Sequence, residues 1–149
     1  MNHWLYITNS DNWKVTKETN ILGASTRYRN ALSRMQIGDK CLVYVIGGRS
    51  DGEKTLARIV GEYRVASKTF HDSTKIFKAP TYTPAEIFNA RIKLKPLNIF
   101  KKPIAFKPLV SQLAFIKNKQ RWSLHIRGRA VVEIPKDDYS LITSKAGGS

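Results

Sequence analysis

Cys41-Leu42-Val43-Tyr44-Val45-Ile46 is an unbroken apolar run, preceded by Gly38-Asp39 and followed by Gly47-Gly48. A short apolar run between turn residues reads as a strand, and one without polar alternation is covered on both faces. The remainder of the chain must then supply a layer for each side. Residues 3–8, His-Trp-Leu-Tyr-Ile-Thr, are rich in aromatic and β-branched side chains and read as a first strand. Asn9, Ser10, Asp11 and Asn12 offer N-caps for a short helix to about Glu18. Tyr28, Ala31, Leu32 and Met35 fall at i, i+3, i+4 and i+7, one face of a second short helix. Residues 47–52 read as a flexible turn, with a further strand at about residues 56–67.

Arg91-Ile92-Lys93-Leu94-Lys95 alternates strictly. Ile92 and Leu94 point one way and the three cations the other, which predicts a half-buried strand with a basic outer face. Pro108 opens a helical turn in which Leu109 and Leu113 share a face. Residues 123–126 and 130–134 read as short strands interrupted by Gly128. Asp137 and Asp138 sit in the first turn of a terminal helix carrying Tyr139, Leu141 and Ile142, where the helix dipole favours acids. Neither a repeat nor a dividing linker is evident, so residues 1–145 read as one domain and 146–149 as a flexible tail. The order of elements predicts an α+β domain built round a curved or barrel-like sheet.

The chain has 149 residues, 42% of them apolar, enough for a core and too many for general disorder. No run approaches the roughly 20 apolar residues of a spanning helix, and Met1-Asn2-His3-Trp4 does not begin a secretory signal. A single cysteine, Cys41, excludes an intrachain disulfide and a thiolate metal cluster, so a reducing, cytosolic setting is expected. The charge is lopsided: 26 Lys and Arg stand against 11 acids, giving +15 and a pI near 10.2. No acid lies between Glu86 and Glu133, a segment holding eleven Lys and Arg from Arg91 to Arg129. Such crowding repels itself in the free fold and is relieved by a polyanion, of which nucleic acid is the obvious one. Solubility, or a generally basic proteome, is the bland alternative, and polyanion binding is the leading expectation. A membrane surface fits less well, because no long basic amphipathic helix accompanies it.

Catalytic patterns are scarce. His3, His71 and His125 lack metal-ligand spacing, Cys41 opens the buried strand, and Gly47-Gly48 lacks the phosphate-loop pattern. No catalytic residue, metal or cofactor is expected. The aromatics say more. Trp122 follows Lys117-Asn118-Lys119-Gln120-Arg121, setting a flat π surface beside phosphate-seeking charge, the pairing used where single strands stack their bases. Trp4 reads as core and Trp13 serves either role. Tyr28, Tyr44, Phe77 and Tyr82 carry weaker signals, Tyr44 being core by default.

Several motifs in order are similar to those of EVE domains: Trp4-Leu5-Tyr6-Ile7-Thr8-Asn9, Trp13, Asn20-Ile21-Leu22-Gly23, Asn30-Ala31-Leu32-Ser33 and Ile37-Gly38-Asp39. Ile76-Phe77-Lys78, Arg91 to Pro96 and Leu113 to Ser123 continue the likeness across almost the whole chain, resembling the small stand-alone archaeal and bacterial type. The resemblance implies a PUA-like bent β-barrel of about five or six mixed strands flanked by short helices, related to the YTH readers of methylated adenine. It implies a non-catalytic module with a pocket for a flipped, modified base in RNA or DNA. Carried over by position, the base pocket would comprise Asn9, Leu22, Gly23, Phe77, Trp122 and Ser123. Arg91, Lys117, Lys119 and Arg121 would hold phosphate at the rim. Relatives often have tryptophan where this chain has Leu22, so a full aromatic cage is not expected. Two other functions stay open: an RNA-modifying or hydrolytic enzyme using His125 or His71, and a ribonucleoprotein subunit binding structured RNA. The partner is nucleic acid rather than membrane in each, and the oligomeric state is left open.

Overall fold

The two-sided apolar strand is the hub of the architecture. In a computed structural model describing residues 1–50, 53–78 and 87–146, it is β3, with Cys41 to Val45 all buried. Parallel to it lies β1 (His3–Thr8), in register from His3 opposite Lys40 to Thr8 opposite Val45. A parallel pair requires a crossover. Here the crossover comprises α1 (Ser10–Thr19), β2 (Ile21–Ala24), a 3-10 turn (Thr26–Tyr28) and α2 (Arg29–Leu32), leading into β3 (Lys40–Val45). The Asn9 side chain caps α1 by accepting the Asn12 N–H at 2.9 Å. Asn20 ends the helix in the left-handed region at φ 59.

Beyond β3 the chain forms a hairpin, β4 (Gly48–Ser50) and β5 (Glu53–Thr55), then β6 (Arg58–Val65), β7 (Phe70–His71) and β8 (Ala90–Ala105). It closes with β9 (Val131–Ile134) and α3 (Lys136–Ser144). The main sheet runs β2-β8-β6-β3-β1-β9, with β7 also on β8, and only β1–β3 among these pairs is parallel. β8 pairs with β2 through residues 90–93 and with β6 through residues 94–105, so one strand turns the corner of the sheet. Register shifts at Val43/Tyr44, Ile59/Gly61 and Glu62/Tyr63 add local bend and twist. The outcome is a curled, mixed half-barrel with short helices, the α+β architecture expected. Among the described residues its main sheet has six strands in one path with the two-residue β7 beside β8, in keeping with the expected five or six, and a separate hairpin.

Alternation along β1 and β3 divides the core in two. Trp4, Tyr6, Cys41, Val43 and Val45 join Trp13, Leu22, Leu32 and Met35 on the crossover side. Leu5, Leu42 and Tyr44 join Phe106, Leu113, Ile126, Tyr139 and Ile142 on the C-terminal side. Leu32 and Met35 are buried, and Tyr28 and Ala31 pack against that core, as the helical spacing implied. Three expectations need correction. Residues 47–52 are not simply a turn, because β4 begins at Gly48; Asp51 and Gly52 lie outside the described residues. Residues 123–126 are not a strand but lie in a 3-10 turn, Trp122–His125, where Ser123 O accepts the N–H of both Ile126 and Arg127. This tight turn sinks Ile126 into the core and leaves Leu124 exposed. The alternating strand at 91–95 continues to Ala105. Residues 147–149 of the expected tail, and Tyr82, lie outside the described residues.

Asp39 fastens the start of β1 to the approach to β3. Its Oδ1 accepts the Asn2 N–H, and its Oδ2 accepts the Trp4 indole N–H and the Gln36 N–H, each at 3.0 Å. Burial works to raise the carboxyl's pKa, but these hydrogen bonds outweigh it and hold the group below the ordinary carboxylate value. A carboxylate depressed on folding stabilises above its unfolded pKa, and that contribution is lost as pH falls through the folded value. Thermal melts from pH 7 to pH 2 will therefore show an acid-side loss that is smaller in Asp39→Asn. At pH 7 that variant should be less stable by about 2–4 kcal/mol, three hydrogen bonds to a charged acceptor being weakened.

Candidate functional site

Where β1 and β3 reach their carboxyl ends, two cavities adjoin. The larger, about 1140 Å³, is walled by Ile7 and Tyr44 of the sheet, Ile46 and Leu56 flanking the hairpin, and Trp122 and Ile126 of the C-terminal layer. Four cations, Arg27, Lys107, Arg127 and Arg129, also line it. The ion pairs found among the described residues are Arg34–Glu133, Lys78–Asp11 and Arg91–Asp72, so none involves these four. Trp122 is half-buried, its ring tilted 45° against Phe106 at 5.5 Å; Phe106 in turn meets Tyr44 edge-on at 5.0 Å. Burial pushes the Tyr44 phenol up to about 12, so it stays a neutral wall at physiological pH.

The smaller recess, about 180 Å³, is lined by Thr8, Asn9 and Asn12 at the β1–α1 junction and by Gly23 and Ala24 of β2, with Phe88 also in its wall. Ile7, Tyr28, Ile46 and Arg129 belong to both cavities. Tyr28 is fixed in this shared wall: its hydroxyl donates to Gly128 O at 2.9 Å and accepts from Arg27 Nη2. Asn12 exchanges two hydrogen bonds with the Lys78 backbone, at 2.7 and 3.2 Å, and so pins residues 72–78 to α1.

The EVE domain sequence model matches residues 2–145. The chain belongs to the EVE domain family. A UPF0310 protein of Pyrococcus abyssi is 46% identical over 144 residues, covering 97% of this chain and 99% of that one. Two solved structures share the fold at low identity. The human THYN1 protein in complex with 5-methylcytosine containing DNA has a TM-score of 0.64 and 14% identity, covering 100% of this chain and 99% of that one. The YTH domain of Zygosaccharomyces rouxii MRB1 protein in complex with N6-methyladenosine RNA also has a TM-score of 0.64, with 13% identity, covering 99% of this chain and 87% of that one.

The geometry of this EVE domain divides the pocket residues expected from sequence. Asn9 and Gly23 line the recess, whereas Trp122 and Ser123 line the larger cavity. Leu22 lines neither; it is fully buried in the crossover-side core, on the face of β2 opposite Gly23. Phe77 also lines neither, because its ring lies against Gly23, where any Cβ would overlap it. The expected basic outer face holds at Lys93 and Lys95, both exposed, but not at Arg91. Alternation does set it apart from Ile92 and Leu94, but it faces Gly23 across the β2–β8 register and is 0% exposed. Residues 72–78 and 87–88 cover it. Its guanidinium donates to Thr74 Oγ1 and to the carbonyls of Thr74, Ile87 and Phe88, and lies 5.4 Å from the Phe77 ring centre. Asp72 completes the group at 3.4 Å. The N–H and hydroxyl of Thr74, then Arg91, hold the Asp72 carboxyl below its usual range.

Lys117, Lys119 and Arg121 are exposed but line neither cavity. Their loop folds on itself: Lys119 Nζ donates to Leu113 O, Asn118 Oδ1 accepts the Arg121 N–H, and His125 Nε2 accepts the Asn118 N–H. The sequence reading missed Arg27, Ile46, Leu56, Arg127 and Arg129 as site residues. Arg127-Gly128-Arg129 did carry a signal, a basic pair flanking a turn glycine, and Gly128 has φ 75.

Gly23 and Arg91 thus support the recess from behind. Gly23→Ala should destabilise by about 1–3 kcal/mol through overpacking against Phe77. Arg91→Met should cost about 2–4 kcal/mol by stranding carbonyl acceptors that the guanidinium now serves. Denaturant titration of the two variants checks both values.

Proposed function

We propose that this EVE domain is a non-catalytic reader of nucleic acid that takes one flipped, modified base into the recess beside β1. The observation that carries this reading is the recess itself, part polar and part apolar, opening beside a cleft with four cations that form no ion pair among the described residues. At ~30 Å³ per water the recess has room for about six waters, which suits one heterocycle rather than a base with its sugar. Thr8 and Asn9 offer polar atoms for a base edge, Asn12 being held by the Lys78 backbone, and Gly23 and Phe88 offer apolar contact. Flipping a base costs a few kcal/mol, least where the strand is already open, so a single strand is the favoured substrate. The two neighbouring folds whose complexes hold 5-methylcytosine DNA and N6-methyladenosine RNA support the same reading.

An enzyme fits the geometry less well. His125 Nε2 is occupied by the Asn118 N–H, and His71 is exposed on β7, outside both cavities. Neither is placed as a base beside a bound heterocycle.

Binding of short single strands with 5-methylcytosine or N6-methyladenosine, each against its unmodified form, tests the proposal over a salt series. One modified strand should bind at least severalfold tighter than its counterpart. Affinity should fall with salt by a log–log slope of ~0.7 per neutralised phosphate, and Arg129→Ala should lower that slope by about one such step. Equal affinity for modified and unmodified strands would instead make the protein a subunit binding RNA without reading a base.

A further inference from the structure

The recess accounts for only the smaller of two adjoining cavities. The larger, 1140 Å³ against 180 Å³, far exceeds what a phosphate path requires, and its walls are mainly apolar. We infer that it is a second nucleotide subsite, where the base next to the flipped one stacks on Trp122, so that the domain reads a two-nucleotide step. This inference rests on the reading proposed above.

Three observations converge on that occupant. Trp122 is half-buried and backed by Phe106 at 5.5 Å, so its ring is already held in place and loses little freedom when a base stacks on it. Ile46 and Leu56, 45% and 66% exposed, are large apolar side chains left in solvent, and both border this same cavity. Exposed apolar groups gathered round a concavity mark a binding surface. Lastly, Tyr28 and Arg129 stand in both walls, so a strand with one base in the recess has its neighbour beside the larger cavity. Arg129 is then placed for the phosphate joining the two nucleotides, with Arg127 across the Gly128 turn. An apolar trough with cations at its margin also has the chemistry for a fatty acid. The shared wall with a base-sized recess favours the nucleotide.

The test uses the full chain with two probes, the modified nucleoside preferred in the preceding experiment and the dinucleotide containing it. Wild type should bind the dinucleotide more tightly than the nucleoside. Trp122→Ala should lower dinucleotide affinity about 5- to 150-fold, the range of one lost base–aromatic stack, and leave nucleoside affinity unchanged. Trp122→Phe should recover most of the loss. Because Trp122 also touches the core, Leu56→Asp serves as a surface variant; it should weaken the dinucleotide alone. Equal wild-type affinity for the two probes, or unchanged dinucleotide binding in both Trp122→Ala and Leu56→Asp, overturns the second subsite while leaving the recess reading intact. Failure of wild type to bind either probe overturns the recess reading and this inference with it. Saturation by sodium decanoate with no displacement by dinucleotide overturns it in favour of an amphiphile.

Discussion

Everything in this molecule follows from a parallel strand pair that must hide both of its faces from water. β1 and β3 send alternate side chains to opposite sides, Trp4 and Tyr6 with Cys41, Val43 and Val45 to one, Leu5 with Leu42 and Tyr44 to the other. Each side therefore needs its own cover, and the chain supplies the crossover for one and residues 106–142 for the other. Two independent layers resting on one sheet do not close over its end. At the carboxyl ends of β1 and β3 they part, and Ile7, near the end of β1, and Ile46, just past β3, become walls of the opening. The alternation that builds the interior thus also lays out the opening.

The charge distribution has a similar internal logic. Asp39 and Asp138 are both buried and spent on backbone N–H groups: Asp39 on Asn2 and Gln36, Asp138 on Ala114 and Phe115. Glu62 accepts the Tyr139 hydroxyl at 2.6 Å, and burial together with this carboxylate pushes that phenol far above its ordinary value. These acids hold loops and layers together and are not placed to offset surface cations. Four cations, Arg27, Lys107, Arg127 and Arg129, are left where the layers part, and Arg91, the one deeply buried Lys or Arg among the described residues, is consumed by carbonyls.

Local patterns carried well from sequence to structure; long-range covering did not. β1 falls at residues 3–8 as the aromatic and β-branched run implied, and Asn9 caps α1. β3 is buried on both faces because its apolar run had no polar interruption. Arg91 shows the limit of such reasoning. Its alternation was legible, but whether its side chain meets solvent depends on residues 72–78 and 87–88 packing over it, and no spacing within 91–95 encodes that. Trp122 and Ser123 do line a cavity, whereas Asn9 and Gly23 line its neighbour, since a linear motif cannot say which side of Tyr28 each residue will occupy. Asp138 looked like a helix-dipole residue, and its grip on Ala114 and Phe115 spans a sequence distance that no local rule reaches.

The chain's single thiol has a practical corollary. Cys41 is fully buried at the centre of the sheet, and its pKa is pushed up to about 12 by that burial. Thiol reagents need an accessible thiolate, so the folded protein is silent toward maleimides at neutral pH. A cysteine introduced at an exposed margin position would accordingly take a fluorophore alone, without first deleting a native residue from the interior.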